Sequence, residues 1–593
     1  MLYEMLTGKL PFKGEHEQAV VYSILKEKPK PVTELQSGIP ESVEEVVSKA
    51  LEKDPNKRYQ HIDDLLDDLT SISAGIVPEE IKMRLRKAKL SKRKKAFLYG
   101  GGTGLLILIA AIALTLFTGP AEAIDSIAVL PLENLTGNPD QEYFVDGVTD
   151  ELIGQLGQIS GLQRVISRTS VMQYKDTDKS LPEIARELKV DAVVEGSIRE
   201  AGDNVHIRVQ LIDALPEERN LWGQTYERDK KDMIVIYSEM AQAIANRIQI
   251  KLTSDEETRF SDAHLVNPEV YEAYLKGSYH WKKMTPEGLD TAERYFELAL
   301  DKDPAYAPAY EGLAWVWAVR QQYGLTIPQE AGIKMKEAAM NAITLDENYA
   351  GAQEALALVQ TWTDWDWDSA WKSWRRTLEL NPNSANAHAY YAHFLAIMGH
   401  TEEAVQHGKR ALDLDPFNAL YHGMYGFVLC YARHYDDAIG AARLALDIQP
   451  NMGLANTVLK YALTAKGRLE EQHNNQMEAQ LKRRGNDPEW MEAFEQGLAE
   501  AGYKGAQQRI AELLAARYEK SGWQGDNVRA INIAYRYYDA GDNERTIDWM
   551  EKAYEERDPN LPYSVRHPHF YDTLRTNTRF QDLLHKMNLP LVK

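Results

Sequence analysis

Three acids, Asp146, Asp150 and Glu151, lie within six residues of one another, so a helix would bring them to one face and end. A divalent cation could be held there. Acids on an amphipathic surface helix are more often solvated, and solvation is the expectation here. His393, His400 and His407 recur every seven residues, about two helical turns. Gly399 ends any helix between them, so they are not expected to form a metal site. In the run Arg566-His567-Pro568-His569, the two histidines fall in a turn before the last helix. Trp362, Trp365, Trp367, Trp371 and Trp374 could build a ligand cage, but packing at an irregular helical junction is the preferred reading. Cys430 is the single cysteine, which excludes an intramolecular disulfide framework and a CxxC metal site. Gly100-Gly101-Gly102-Thr103-Gly104 resembles a phosphate loop but lies inside an apolar run, where glycines permit close helix packing. No residues of this chain are therefore assigned to catalysis, to a cofactor or to a metal.

The element that divides the chain is residues 96–118, AFLYGGGTGLLILIAAIALTLFT, 23 residues without a charge. As a helix they would measure about 35 Å, enough to cross a hydrocarbon core of about 30 Å. Residues 82–95, KMRLRKAKLSKRKK, place nine Lys or Arg in fourteen positions just before it. Pro120, Glu122 and Asp125 follow it with no basic residue nearby. This asymmetry predicts one membrane span, with the N-terminus cytoplasmic and everything after Gly119 extracytoplasmic, periplasmic or extracellular. No cleavable signal opens at Met1, so the span itself would serve as export signal and anchor. The basic run is expected to lie on anionic headgroups, at about 1 kcal/mol per well-placed charge. With a formal net charge of −21, nucleic-acid binding is not expected.

Residues 1–74 read as a mostly helical domain. Val43, Val46, Val47, Ala50 and Leu51 form one apolar stripe, and Ile62, Leu65, Leu66 and Leu69 another. Two motifs, YEMLTGKLPF and LEKDPNKRYQ, closely resemble the end of the large lobe of a eukaryotic-like serine/threonine protein kinase of the bacterial type. By this resemblance Met1–Leu6 is the tail of the helix at the lobe's centre. Arg58 is the structural arginine that in the family pairs with the glutamate of the APE motif. Residues 1–74 contain no Gly-rich loop after a strand, VAIK lysine, HRD loop, DFG or APE, the parts phosphoryl transfer needs. The chain is thus expected to be the C-terminal part of a kinase with Met1 an internal methionine, and to be inactive itself. It should hold no cofactor, whereas ATP and Mg are implied for the full-length kinase. Arg58 without its partner is expected to cost about 3–5 kcal/mol and leave this piece poorly folded. Residues 75–95 form a basic juxtamembrane linker.

After the span, residues 119–252 alternate strands and helices. Ser126–Leu130 is a buried-type strand, and Asp146–Leu156 has helical spacing. Ser180-Leu181-Pro182-Glu183 is a capping box. Val205, Ile207, Val209 and Leu211 alternate with polar residues, as in a hairpin with one buried face. SIAVLPLENLTGNPDQEYFVDGVTDELI, VDAVVEGSIREAGDNVHIRVQLIDA and LWGQTYERD resemble the TolB-like N-terminal module. That resemblance implies a small α/β fold and brings no catalytic residues.

Residues 253–484 repeat. Asn381-Pro382, Asp415-Pro416 and Gln449-Pro450 are spaced by 34, as are Ala370, Ala404 and Ala438. Small residues let two antiparallel helices approach, large ones such as Tyr391 and Leu395 fill between them, and proline stops the second helix. This resembles tetratricopeptide repeats (TPR), with degenerate helical pairs over 485–593. The implied partner is a protein or peptide in the groove of the superhelix. The expected whole is multidomain: a kinase-lobe remnant, one transmembrane helix, a small α/β module and an all-α superhelix. It would serve as the external sensor of a membrane kinase or, alternatively, as a non-catalytic membrane-anchored TPR scaffold.

Overall fold

The computed structural model describes residues 1–13, 17–85, 124–202, 204–261, 266–468, 486–522 and 528–589. The chain divides into two units, 1–122 and 123–593. The expected span, 96–118, lies outside the described residues. Among the described residues, no helix is long and apolar enough to cross a membrane.

In the first unit the described helices are Leu2–Thr7, Glu17–Lys26, Val32–Leu35, Glu41–Ala50 and Ile62–Ser73. Gly8, at φ 66°, closes the first by returning its N–H to the Glu4 carbonyl. The core is small. Tyr3, Val32 and Val47 meet under Leu6, Leu35 and Leu51, and the Tyr3 hydroxyl donates to the Lys30 carbonyl at 2.8 Å. Met5, Leu25, Ile62 and Met83 are each more than half exposed. Arg58 follows the 3-10 turn Pro55–Lys57, is exposed, and donates Nε to the Glu52 carbonyl at 2.6 Å. Arg58 is not a buried charge, so the expected penalty at Arg58 does not arise in this arrangement.

The second unit begins with a sheet in the order β3-β1-β4-β5-β6, with β2 beside β4. The strands are β1 Ser126–Val129, β2 Glu133–Asn134, β3 Arg164–Val165, β4 Ala192–Ala201, β5 Asn204–Asp213 and β6 Arg219–Asp229. β1 runs parallel to β3 and β4, and β4, β5 and β6 form an antiparallel meander. Side chains alternate across a strand, so Ile127 and Val129 enter one layer while Ala128 and Leu130 enter the other. The helices Glu142–Gly157 and Met233–Arg247 supply the first layer, and Leu181–Leu188 the second. Ser180 and Glu183 form the expected capping box. The two-residue β2 and the short helix Arg168–Val171 carry too little periodicity to be read from sequence.

The position taken as a domain boundary, 252, is not one in space. One continuous core joins Val129 of the sheet and Leu152 of the helix over it to Tyr271, Leu275 and Phe296 of the first helical pair. Gly147 lets that pair close on the Glu142–Gly157 helix, since a Cβ there would stand 2.7 Å from a methyl of Leu275. The proline turns of the array dock against the other end of the sheet. Asn383 donates Nδ2 to the carbonyls of Gly157 (3.3 Å) and Leu162 (2.9 Å) and accepts the Val165 N–H at 3.2 Å. Ser170 Oγ donates to Asp415 at 2.5 Å and accepts the Phe417 N–H at 2.9 Å. Asn383→Ala would strand these buried groups and is expected to cost about 3 kcal/mol. Hydrogen exchange at the Val165 amide should accelerate accordingly; unchanged protection there would refute the docking role.

From Pro268–Trp281 and Pro286–Lys302 onward, antiparallel helix pairs continue through Tyr435–Ile448 and into Gly453–Ala465. Ala370, Ala404 and Ala438, all fully buried, sit where paired helices cross. Beyond them, Pro488–Ser521, kinked at Ala501 and Gly502, leads to Ala530–Ala540 and Asn543–Glu555. The short helices Leu561–Arg566, Pro568–Leu574 and Thr578–Lys586 then fold back on the array. Arg566 Nε reaches the Ile397 carbonyl at 2.9 Å, and Trp367 Nε1 reaches the Met587 carbonyl at 2.8 Å.

Candidate functional site

The first helices of successive pairs, including Ala307–Tyr323, Ala350–Val359, Ala385–Met398 and Ala419–Tyr431, line the inner face of the array. A stripe of carboxylates and tyrosines runs along them. Tyr349 donates its hydroxyl to Glu311 at 3.4 Å, Asn386 Nδ2 donates to Glu354 at 2.5 Å, and Tyr421 donates to Asn386 Oδ1 at 3.0 Å. Burial raises the Glu311 carboxyl to about 7. Burial first, then the charge of Glu311, raises Glu354 to about 8. Neither acid has a cation within ion-pair distance among the described residues. The stripe meets the sheet module at Glu151, which burial and the neighbouring Asp150 hold at about 7, with the Tyr274 hydroxyl 3.5 Å away.

The three acids singled out by spacing are therefore split among different partners. Asp146 is 8% exposed and paired with Arg168 at 2.8 Å and Lys175 at 3.0 Å, while Asp150 pairs with Lys282. The expectation of a solvated face fails because the first helical pair packs over this helix. The histidines go separate ways as well. His393 bonds through Nε2 to the Met424 carbonyl at 3.0 Å, and His407 meets His388 with their Nδ1 atoms 2.8 Å apart. His400 lies at the Trp371 edge, and Gly399, at φ 86°, ends the helix before it. Among the described residues no group of three or more His, Cys, Asp or Glu is placed to hold a metal ion. Cys430 is buried, and burial pushes its thiol up to about 12. It is inert at neutral pH.

The tryptophan run packs a junction. A π-helical turn, Gln360–Asp364, precedes Trp365, whose φ of 54° turns the chain sharply. Trp362, Trp365, Trp367 and Trp374 are at most 6% exposed. Trp374 Nε1 donates to Thr361 at 3.1 Å and Trp362 Nε1 to the Tyr563 hydroxyl at 2.8 Å. Trp362 also lines a cavity of about 730 Å³ between the inner helices and the folded-back C-terminal segment. Its other walls include Trp315, Tyr390, His393, Phe427, Tyr461, Tyr563 and His567. Neither Glu311, Glu354 nor this cavity was singled out from sequence. The available signal was polar residues on otherwise apolar first helices, and it does not say which way they face.

Comparison with known proteins finds two matching family models. Residues 374–406 match a family model for the tetratricopeptide repeat. Residues 122–233 match the HilA/YgeH-like transcriptional regulator, second domain; the TolB-like reading of this region finds no support in that match. Putative adenylate cyclase 3 of Rhizobium meliloti (strain 1021) is 32% identical over 243 residues, 40% of each chain. The serine/threonine-protein kinase PknB of Mycobacterium leprae (strain TN) is 39% identical over 83 residues, 14% of this chain and 13% of that protein. The chain thus covers 40% or less of the length of these curated relatives. Among solved structures, YrrB, described as a TPR protein with an unusual peptide-binding site, is 23% identical. The match covers 34% of this chain and 96% of YrrB, with a TM-score of 0.23. A human IFIT1 dimer is 14% identical, over 54% of this chain and 77% of that one, with a TM-score of 0.36. The second unit is a mostly helical, TPR-containing array with a small sheet at its N-terminal end. The kinase likeness is confined to a short stretch.

Proposed function

We propose that the chain is the C-terminal part of a membrane-anchored serine/threonine protein kinase, with the sheet and repeats as its extracytoplasmic binding region. The observation that carries this reading is the kinase likeness, 39% identity over 83 residues, together with the motifs around Tyr3–Phe12 and Arg58. The apolar, asymmetrically flanked residues 96–118 supply the anchor and set cytoplasm against exterior. ATP and Mg belong to the whole kinase, where Arg58 would take up the pairing the family gives it.

The 243-residue likeness to the adenylate cyclase is longer than the whole first unit, so it reaches into the second. This favours a sensory region joined to different outputs in different proteins. Its partner is a protein or peptide, and the desolvated Glu311 and Glu354 suit one that presents a basic side chain to the inner face. Binding alters the output only by favouring one of two states of the region.

Topology reporters fused at Ala74 and Thr253 test the arrangement. Opposite sides of the membrane are expected, and both on one side would refute it. An antibody against the repeats, used on lysate of the native organism, should reveal a band well above 67.4 kDa. A band at 67.4 kDa alone would instead support the membrane-anchored scaffold.

A further inference from the structure

A superhelix of helix pairs ordinarily leaves an open inner channel for a peptide strand. Here the C-terminal segment occupies part of that channel. Trp362 Nε1 donates to the Tyr563 hydroxyl at 2.8 Å, Tyr431 donates to the Tyr563 carbonyl at 2.5 Å, and Arg566 Nε to the Ile397 carbonyl at 2.9 Å. What remains is the cavity of about 730 Å³, within the range of about 300–1,000 Å³ typical of small-molecule sites. Flat aromatic faces from both the array and the folded-back segment wall it, Trp315, Tyr390 and Phe427 among them.

Its polar lining is biased toward donors. Among the described residues, the charged groups that line it are Lys282, already paired with Asp150, and Lys283. His567 is 1% exposed, and its Nδ1 accepts the His569 N–H at 3.2 Å, which places the ring proton on Nε2. That Nε2–H has no protein acceptor, nor does the buried Nε2 of Gln322, which also lines the cavity. Burial holds His567 neutral, down to about 3, so it offers a hydrogen bond rather than a charge. Two buried donors without protein acceptors beside aromatic walls call for water or a ligand to satisfy them.

We propose that this lumen binds a small planar ring molecule with hydrogen-bond acceptors at its edge, neutral or anionic. The ring stacks between aromatic walls, and its acceptors take the His567 and Gln322 N–H groups. The cavity adjoins the Glu311–Glu354 stripe through Trp315, which bonds to Glu311, and this inference does not depend on the kinase reading.

The test uses the full chain in lipid nanodiscs with naphthalene-2-carboxylate as probe, followed by titration calorimetry and tryptophan fluorescence. Its cationic counterpart, 2-naphthylmethylammonium, runs alongside. Saturable one-to-one binding of the carboxylate is expected, with the cation at least tenfold weaker. Thr457→Trp fills the lumen from a half-buried position and should weaken binding at least tenfold. His567→Phe keeps the ring but removes the donor and should weaken it several-fold. Thermal midpoints check that each variant is folded, and Thr457→Trp carries the test should His567→Phe fail to fold. No saturable binding, equal binding by Thr457→Trp, or preference for the cation would overturn the proposal.

Discussion

Replacing Arg529 by methionine is expected to destabilise the second unit by about 3–5 kcal/mol. Arg529 and Asp558 are 5% and 0% exposed. Nε donates to Asp558 Oδ2 at 2.9 Å, Nη2 engages Oδ1, and Nη1 reaches the Gln322 carbonyl at 2.8 Å. This fork ties the C-terminal segment to the Ala307–Tyr323 helix. Removing the guanidinium leaves Asp558 charged and without water, and that desolvated carboxylate accounts for most of the loss. Arg529→Lys should be nearly as damaging, because an ammonium cannot reproduce the two-pronged geometry. The double variant Arg529→Met, Asp558→Leu removes both charges and should recover most of the stability. Urea denaturation followed by circular dichroism measures all three. A loss below about 1 kcal/mol for Arg529→Met would mean the pair is solvated, contrary to its burial.

The features legible in the sequence are those written in local pattern. The proline turns at 34-residue spacing, the small residues at 370, 404 and 438, and the alternation Val205, Ile207, Val209, Leu211 each encode their own element. The long-range pairings are not written locally. Trp362 bonds to Tyr563 across 201 residues and Asn383 to Leu162 across 221, and nothing in either neighbourhood names the other. Glu151 shows the consequence. Its spacing reads as a solvated helix face, and only the docking of Tyr274 and Leu275 onto that helix makes it a desolvated acid. Gly147 was equally silent: its meaning is the methyl of Leu275 that a Cβ would strike. The boundary at 252 failed for the same reason, since a shared core overrides a change of periodicity. The candidate site fell in the same gap, because Glu311 and Glu354 are desolvated only where successive inner helices pack, and the lumen exists only where those helices meet the folded-back segment.

That shared core also shapes how a signal would travel. The sheet, the first helical pairs and the proline turns are joined by buried apolar contacts and by hydrogen bonds at both ends of the Glu142–Gly157 helix. On the function proposed above, a ligand on the inner face would act on one packed body, not on a loose string of modules. Stability of that body becomes a readout of the groove's electrostatics.

Glu354→Gln should change the pH dependence of stability more than any other single neutral substitution in the groove. Glu354 is 8% exposed, with its carboxyl raised to about 8 by burial and by Glu311. The unfolded chain releases this proton near the ordinary value of 4.5. Below that pH the acid is protonated in both states and its contribution to stability is complete. Between about 4.5 and 8 the unfolded state ionises while the folded state keeps its proton, so stability falls as pH rises. Above the folded value the loss levels off. At 1.36 kcal/mol per unit, the fall is on the order of 3 kcal/mol after allowance for relaxation around the charge. Glutamine preserves the acceptor for Asn386 Nδ2 and removes the titration. The variant should match the parent near pH 4.5 and exceed it by on the order of 3 kcal/mol at pH 8.5. Glu151 and Glu311 titrate in the same direction, so a shallower slope of the same sign should persist. Glu311→Gln should in turn lower the pH at which Glu354 ionises, because one of the two causes of its shift is gone. Denaturation midpoints from pH 4 to 9 decide the matter: superimposable curves for parent and Glu354→Gln would show that Glu354 is hydrated in the folded chain.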